Sequence, residues 1–152
     1  MLPEQRHLVQ SSWALAAACG GELAGRFYAR LFEIDGDAAR LFAGVDMAAQ
    51  HRKFADMLAA IVGVLDDPDA MVPRLAALGR RHAGYGVHES HYAAVGEALL
   101  HALSATLGDA LPPDARAAWA HAYALIGAVM RRATTHQHSL SQSVPHQPTF
   151  RQ

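Results

Sequence analysis

The stretch Leu75-Ala76-Ala77-Leu78-Gly79-Arg80-Arg81-His82 decides the fold. Leu78 follows Leu75 by three residues and His82 follows Leu78 by four, so the three side chains share one face of a helix. Val72 extends that stripe backwards, while Arg74, Arg80 and Arg81 fall off it. Asp66-Asp67-Pro68 supplies an N-cap with proline just inside, and Gly84 and Gly86 close the segment. A histidine therefore points where leucines point, into a core. It is either a core imidazole satisfied by a backbone carbonyl or a ligand.

The same period recurs on both sides of this helix. Leu8, Ser12 and Leu15 form a stripe, then Leu23, Phe27, Tyr28 and Leu31, then Phe54, Met57, Leu58, Ile61 and Leu65. Downstream come Tyr92, Val95, Leu99, Leu103 and Leu107, and finally Trp119, Tyr123, Ile126 and Met130. Cys19-Gly20-Gly21, Asp35-Gly36-Asp37, Gly44, Gly108 and Pro112-Pro113 separate them. Alanine and leucine are dense, β-branched residues are sparse, and no hairpin signal occurs. The spacing predicts an all-α chain of about seven helices on short loops. The period fails after Thr134, so residues 1–134 form the expected domain. Residues 135–152, rich in Ser, Gln, His and Pro, are predicted as a disordered polar tail. His136, His138 and His146 fall in that tail.

Composition narrows the function. A length of 152 residues suits one domain, and 51% hydrophobic with 18% charged residues suits a packed core. Lys plus Arg number 13 against 14 Asp plus Glu, which argues against nucleic acid or an anionic membrane as the main partner. Cys19 is the single cysteine, so no disulfide forms within the chain and a reducing cytoplasm is the expected compartment. The sequence predicts neither a signal peptide nor a membrane span.

Two more polar groups sit on apolar stripes. Gln50 precedes Phe54 by four residues, and Tyr28 lies beside Phe27. Taken singly, a helix-end glutamine stays in solvent and a core tyrosine has its hydroxyl satisfied. Together with His82 they describe an imidazole, a phenol and a carboxamide from three helices, all directed into apolar surroundings. That set suits a buried group that needs a neutral nitrogen ligand on one side and hydrogen-bond donors on the other, as a haem iron does.

The segment from Leu78 to His82, followed by Tyr85-Gly86-Val87, Ser90-His91-Tyr92 and Val95-Gly96-Glu97-Ala98-Leu99-Leu100, closely resembles the proximal region of globins. The nearest resemblance is to single-domain bacterial haemoglobins, the globin part of flavohaemoglobins and neuroglobin. Phe27-Tyr28-Ala29-Arg30-Leu31-Phe32 is similar to the second helix of the bacterial group. Leu41-Phe42 is similar to the haem-packing phenylalanine region, and Gln50-His51-Arg52-Lys53 to the distal helix. Trp13 and the Trp119/Tyr123 pair also match, and the resemblance covers roughly residues 5–133.

The resemblance implies a globin fold around haem b, with His82 as proximal iron ligand through Nε2 and its Nδ1–H turned to carbonyls near Leu78. It implies Tyr28 and Gln50 as distal donors, Phe42 stacked on the porphyrin, and Leu78, Val87, Tyr92 and Val95 in the cofactor's surroundings. Lys53 becomes a propionate partner or a solvated surface lysine. Phe54 stands where many globins carry leucine or valine, which predicts a narrowed ligand cavity. Flavohaemoglobins pair a tyrosine like Tyr92 with a glutamate in the last helix, and that position here is Thr134. The incomplete pair argues against O–O cleavage, which wants an electron-rich proximal ligand. The expected activity is reversible O₂ binding with slow release, with CO and NO as further ligands. The alternatives are nitric oxide dioxygenation with an external reductase, and gas sensing. His51, a helical step of about 100° from Gln50, is expected at the surface.

Overall fold

The computed structural model describes residues 1–84 and 89–143, the side chains of residues 84, 89 and 134–143 excepted. Among the described residues the fold is all-α, in the order α1 Pro3–Ala17, α2 Glu22–Ile34, α3 Gly36–Leu41, α4 Met47–Gly63, α5 Pro68–Gly84, α6 Glu89–Leu107 and α7 Pro113–Ser143. One 3₁₀ turn, Gly108–Ala110, stands between α6 and α7. None of these helices is long and apolar enough to cross a membrane.

Local chemistry sets the boundaries. Asp35 accepts from the backbone N–H groups of Asp37 and Ala38, and Asp46 from those of Ala48 and Ala49, so α3 and α4 each start on an aspartate cap. Asp67 does the same for Ala70 at the start of α5, with Pro68 as the first helical residue. At Gly20 and Gly108 the chain turns with φ of +69° and +53°, a region that favours glycine.

Packing follows the stripes, with α2 against α6, α5 against α7 and α1 against α7. Ser12, the polar member of the first stripe, is buried because its hydroxyl accepts from the Trp119 indole at 2.8 Å and donates to the Leu8 carbonyl at 2.6 Å. The α5–α7 contact is tight at Gly79, where a Cβ would stand 2.6 Å from the Met130 carbonyl oxygen. Only glycine lets the backbones approach so closely.

Three expectations differ from the structure. Leu15 and Val72 are 50% and 45% exposed, since each sits at the edge of its stripe rather than its centre. The last helix continues as backbone through Ser143, where a polar tail was expected from residue 135. An existing helix extends at low cost, and residues 135–143 contain neither glycine nor proline. Residues 144–152, with Pro145 and His146, lie outside the described residues.

Candidate functional site

His82 lies in the last turn of α5, where its Nδ1–H donates to the Leu78 carbonyl at 2.9 Å. A carbonyl can only accept, so the proton sits on Nδ1 and the neutral ring carries its lone pair on Nε2. Burial holds the His82 pKa below the ordinary histidine value. The Leu78 bond opposes that shift and the Arg81 charge adds to it. The imidazole is therefore neutral at physiological pH, the form a metal ligand requires.

His82 lines a cavity whose walls are almost entirely apolar. Phe54, Met57, Leu58 and Ile61 face it from α4, Leu78 joins His82 from α5, and Tyr92, Val95 and Leu99 come from α6. Tyr123, Ile126 and Met130 close it from α7. The sequence-predicted residues Phe54, Leu78, Tyr92 and Val95 thus meet at one cavity with His82, while Val87 lies outside the described residues.

Tyr28, Gln50 and Phe42 form a second group beside that cavity. The Gln50 amide Nε2 donates to the Tyr28 hydroxyl at 2.9 Å. Burial raises the Tyr28 phenol's pKa, with the Gln50 bond acting in the opposite sense, so the hydroxyl keeps its proton. Phe42 meets the Tyr28 ring edge-on at 5.3 Å. Phe54 separates the two groups, since its ring stacks on Phe27 at 4.3 Å and meets Tyr28 edge-on at 5.7 Å. A leucine or valine there could not fill that space. Lys53 is exposed on α4 and lines neither group.

His51, expected at the surface, stands differently, and His91 joins the cavity without having been singled out. His51 is half-buried, its ring parallel to Tyr28 at 5.4 Å and 8°. His91 is 3% exposed, lines the His82 cavity, and bonds through Nε2 to an Asp37 carboxylate oxygen at 2.9 Å. His91 had a sequence signal: it precedes Val95 by four residues and Leu99 by eight, so it shares their face. The Arg131 guanidinium lies over the Tyr92 ring, 4.8 Å from its centroid. The Thr134 side chain lies outside the described residues.

Residues 25–130 match the Globin family. The chain is a globin. It is 30% identical over 132 residues to a flavohemoprotein of Deinococcus radiodurans, covering 86% of this chain and 33% of that protein. It is 32% identical over 129 residues to a flavohemoprotein of Chromobacterium violaceum, covering 83% of this chain and 32% of that one. The chain therefore spans about a third of the length of the curated relatives it matches. A solved hexacoordinated heme protein from an anhydrobiotic tardigrade superposes with a TM-score of 0.79 at 17% identity, covering 88% of this chain and 94% of that one. That likeness is one of fold.

Globin membership makes haem the cofactor, and the donor set fits it. The globin's cavity offers the His82 imidazole, neutral with its lone pair on Nε2, and apolar walls, and the hydrogen-bonded Tyr28–Gln50 pair stands beside it across Phe54. A hard cation would want oxygen ligands instead.

Proposed function

We propose that this globin binds O₂ reversibly, tightly and with slow release. Haem b, when bound, supplies a ferrous iron that takes diatomic ligands. In this reading His82 holds the iron through Nε2. Phe42, Phe54, Leu78, Val87, Tyr92 and Val95 surround the porphyrin, and Lys53 pairs with a propionate. Tyr28 and Gln50 serve the ligand.

The observation that carries the reading is the 2.9 Å bond from the Gln50 amide to the Tyr28 oxygen. With its oxygen accepting from Gln50, the phenol has its own O–H to give. Bound O₂ carries partial negative charge and CO carries little, so such a donor discriminates between them. A hydrogen bond to a charged acceptor is worth about 1.5–3 kcal/mol, and about 1.4 kcal/mol is ten-fold in an equilibrium. Slow O₂ release follows. A cytoplasmic location belongs to the same reading and rests on the lone Cys19.

The similarity to flavohemoproteins favours a second reading, nitric oxide dioxygenation, in which NO, O₂ and one electron give nitrate. The electron would come from a separate reductase. Absorption spectra of the ferric, ferrous and O₂-exposed protein, followed by NO consumption with and without an added flavin reductase, separate the two. Slow O₂ loss with negligible catalytic NO turnover supports binding alone; sustained reductase-dependent turnover to nitrate replaces it with the dioxygenase.

A further inference from the structure

Tyr28 is 5% exposed and sits among five rings. Phe27, Phe42 and Phe54 meet it at 78°, 67° and 67°, and Phe32 at 41°, so the phenylalanines touch it at steep or tilted angles. His51 alone of the five lies parallel, at 8° and 5.4 Å. A parallel ring lies flat against the phenol and so resists rotation of the phenol's plane. His51 also directly follows Gln50, whose amide holds the Tyr28 oxygen. Two consecutive residues of α4 therefore grip one tyrosine, one by its hydroxyl and one by its ring.

We propose that His51 is a positioning residue for Tyr28: its stacked imidazole fixes the plane of the phenol and thereby the direction in which the hydroxyl donates. The inference rests on the reading of Tyr28 as the ligand's donor. An imidazole suits this half-buried place because its flat ring packs on the phenol and its polar nitrogens tolerate partial exposure. His51 touches neither the ligand nor the iron in this role. It sharpens the preference for O₂ over CO by keeping one donor geometry populated.

The test compares His51→Ala and His51→Phe with the parent and with Tyr28→Phe, all haem-loaded. Stopped-flow O₂ and CO dissociation rates and the infrared C–O stretching band of the CO form are read. His51→Ala is expected to speed O₂ loss by roughly two- to ten-fold, the kinetic equivalent of one aromatic contact, with CO loss changed by less. The C–O band should broaden or split as the phenol samples more than one orientation. His51→Phe, which keeps a flat ring, should restore both readouts. In a Tyr28→Phe background, His51→Ala should add nothing. If Tyr28→Phe speeds O₂ loss but His51→Ala does not, or if the His51→Ala effect persists without the Tyr28 hydroxyl, the positioning role is wrong. A low-spin ferrous spectrum that His51→Ala abolishes would make His51 an iron ligand instead. If Tyr28→Phe leaves O₂ loss unchanged, the donor reading itself fails, and the positioning role with it.

Discussion

Gln50 donates its amide hydrogen to the Tyr28 hydroxyl across 2.9 Å, joining α4 to α2 at the polar edge of an otherwise aromatic cluster. A glutamine near a helix start has a long side chain with several rotamers to lose. Here the bond to Tyr28 holds it in. The two residues act as a unit, and their substitutions should not add. Gln50→Leu is expected to speed O₂ dissociation less than Tyr28→Phe. The double variant should fall short of the product of the two single effects, with a coupling of about 0.5–3 kcal/mol. Dissociation rates around the full cycle measure it.

His82→Ala should lose stable haem binding. His91 also lines the cavity, but its Nε2 is engaged by Asp37, and its place on α6 faces the cavity from another side. Added imidazole should restore a Soret band by occupying the space the side chain left. A full haem complement in the variant without imidazole would remove His82 from the proximal position.

Acid should weaken the fold through His82. Its folded-state pKa lies below the ordinary value because of burial, so the unfolded chain binds more protons in that window. Stability therefore rises with pH there. His82's contribution is complete above about pH 6.5 and is lost as the pH falls towards the depressed value. Thermal melts of the haem-free protein between about pH 8 and pH 5 should show a decline that is shallower in His82→Gln. An unchanged slope in that variant would assign the acid sensitivity to another group.

Gly79→Ala should destabilise by about 1–3 kcal/mol, the usual cost of overpacking. Its Cβ would meet the Met130 carbonyl oxygen at 2.6 Å and the Met130 Cα at 2.9 Å, both backbone atoms that cannot swing aside. Because Gly79 lies three residues before His82, the shift should also speed haem loss. Gly25→Ala is the control, since its Cβ meets nothing within 4 Å near the start of α2, and alanine is the better helix former. Thermal denaturation of both variants, with haem transfer to an acceptor globin, checks the contrast.

Sequence periodicity captured the helices because their apolar faces are broad, and it exposed His82 because an imidazole interrupts a run of leucines. Tyr28 and Gln50 were legible as polar groups on apolar faces, but their mutual bond was not, since it depends on how α2 meets α4. His51 shows the limit of a face argument. A residue 100° around the helix from Gln50 can still be drawn inward when a neighbouring ring offers a flat surface, as Tyr28 does. His91 was hidden by the glycines before it, which mask the start of α6, although its four-residue spacing to Val95 carried the signal. The exposed edges at Leu15 and Val72 depend on where partner helices stop, which no local pattern encodes. Ser12 belongs to the same class, because its burial depends on an indole from a helix 107 residues away.

The dissociation of O₂ and CO from the parent and from Tyr28→Phe, measured side by side by stopped flow, bears most directly on how this globin holds its ligand. On the proposed reading, removing the hydroxyl would delete one charge-assisted hydrogen bond, and O₂ loss should accelerate by about ten-fold or more. CO loss should change much less, because CO offers little charge for the phenol to meet. If both ligands leave faster by the same factor, the substitution has opened the space around Phe54, and hydrogen bonding from Tyr28 is not what retains O₂.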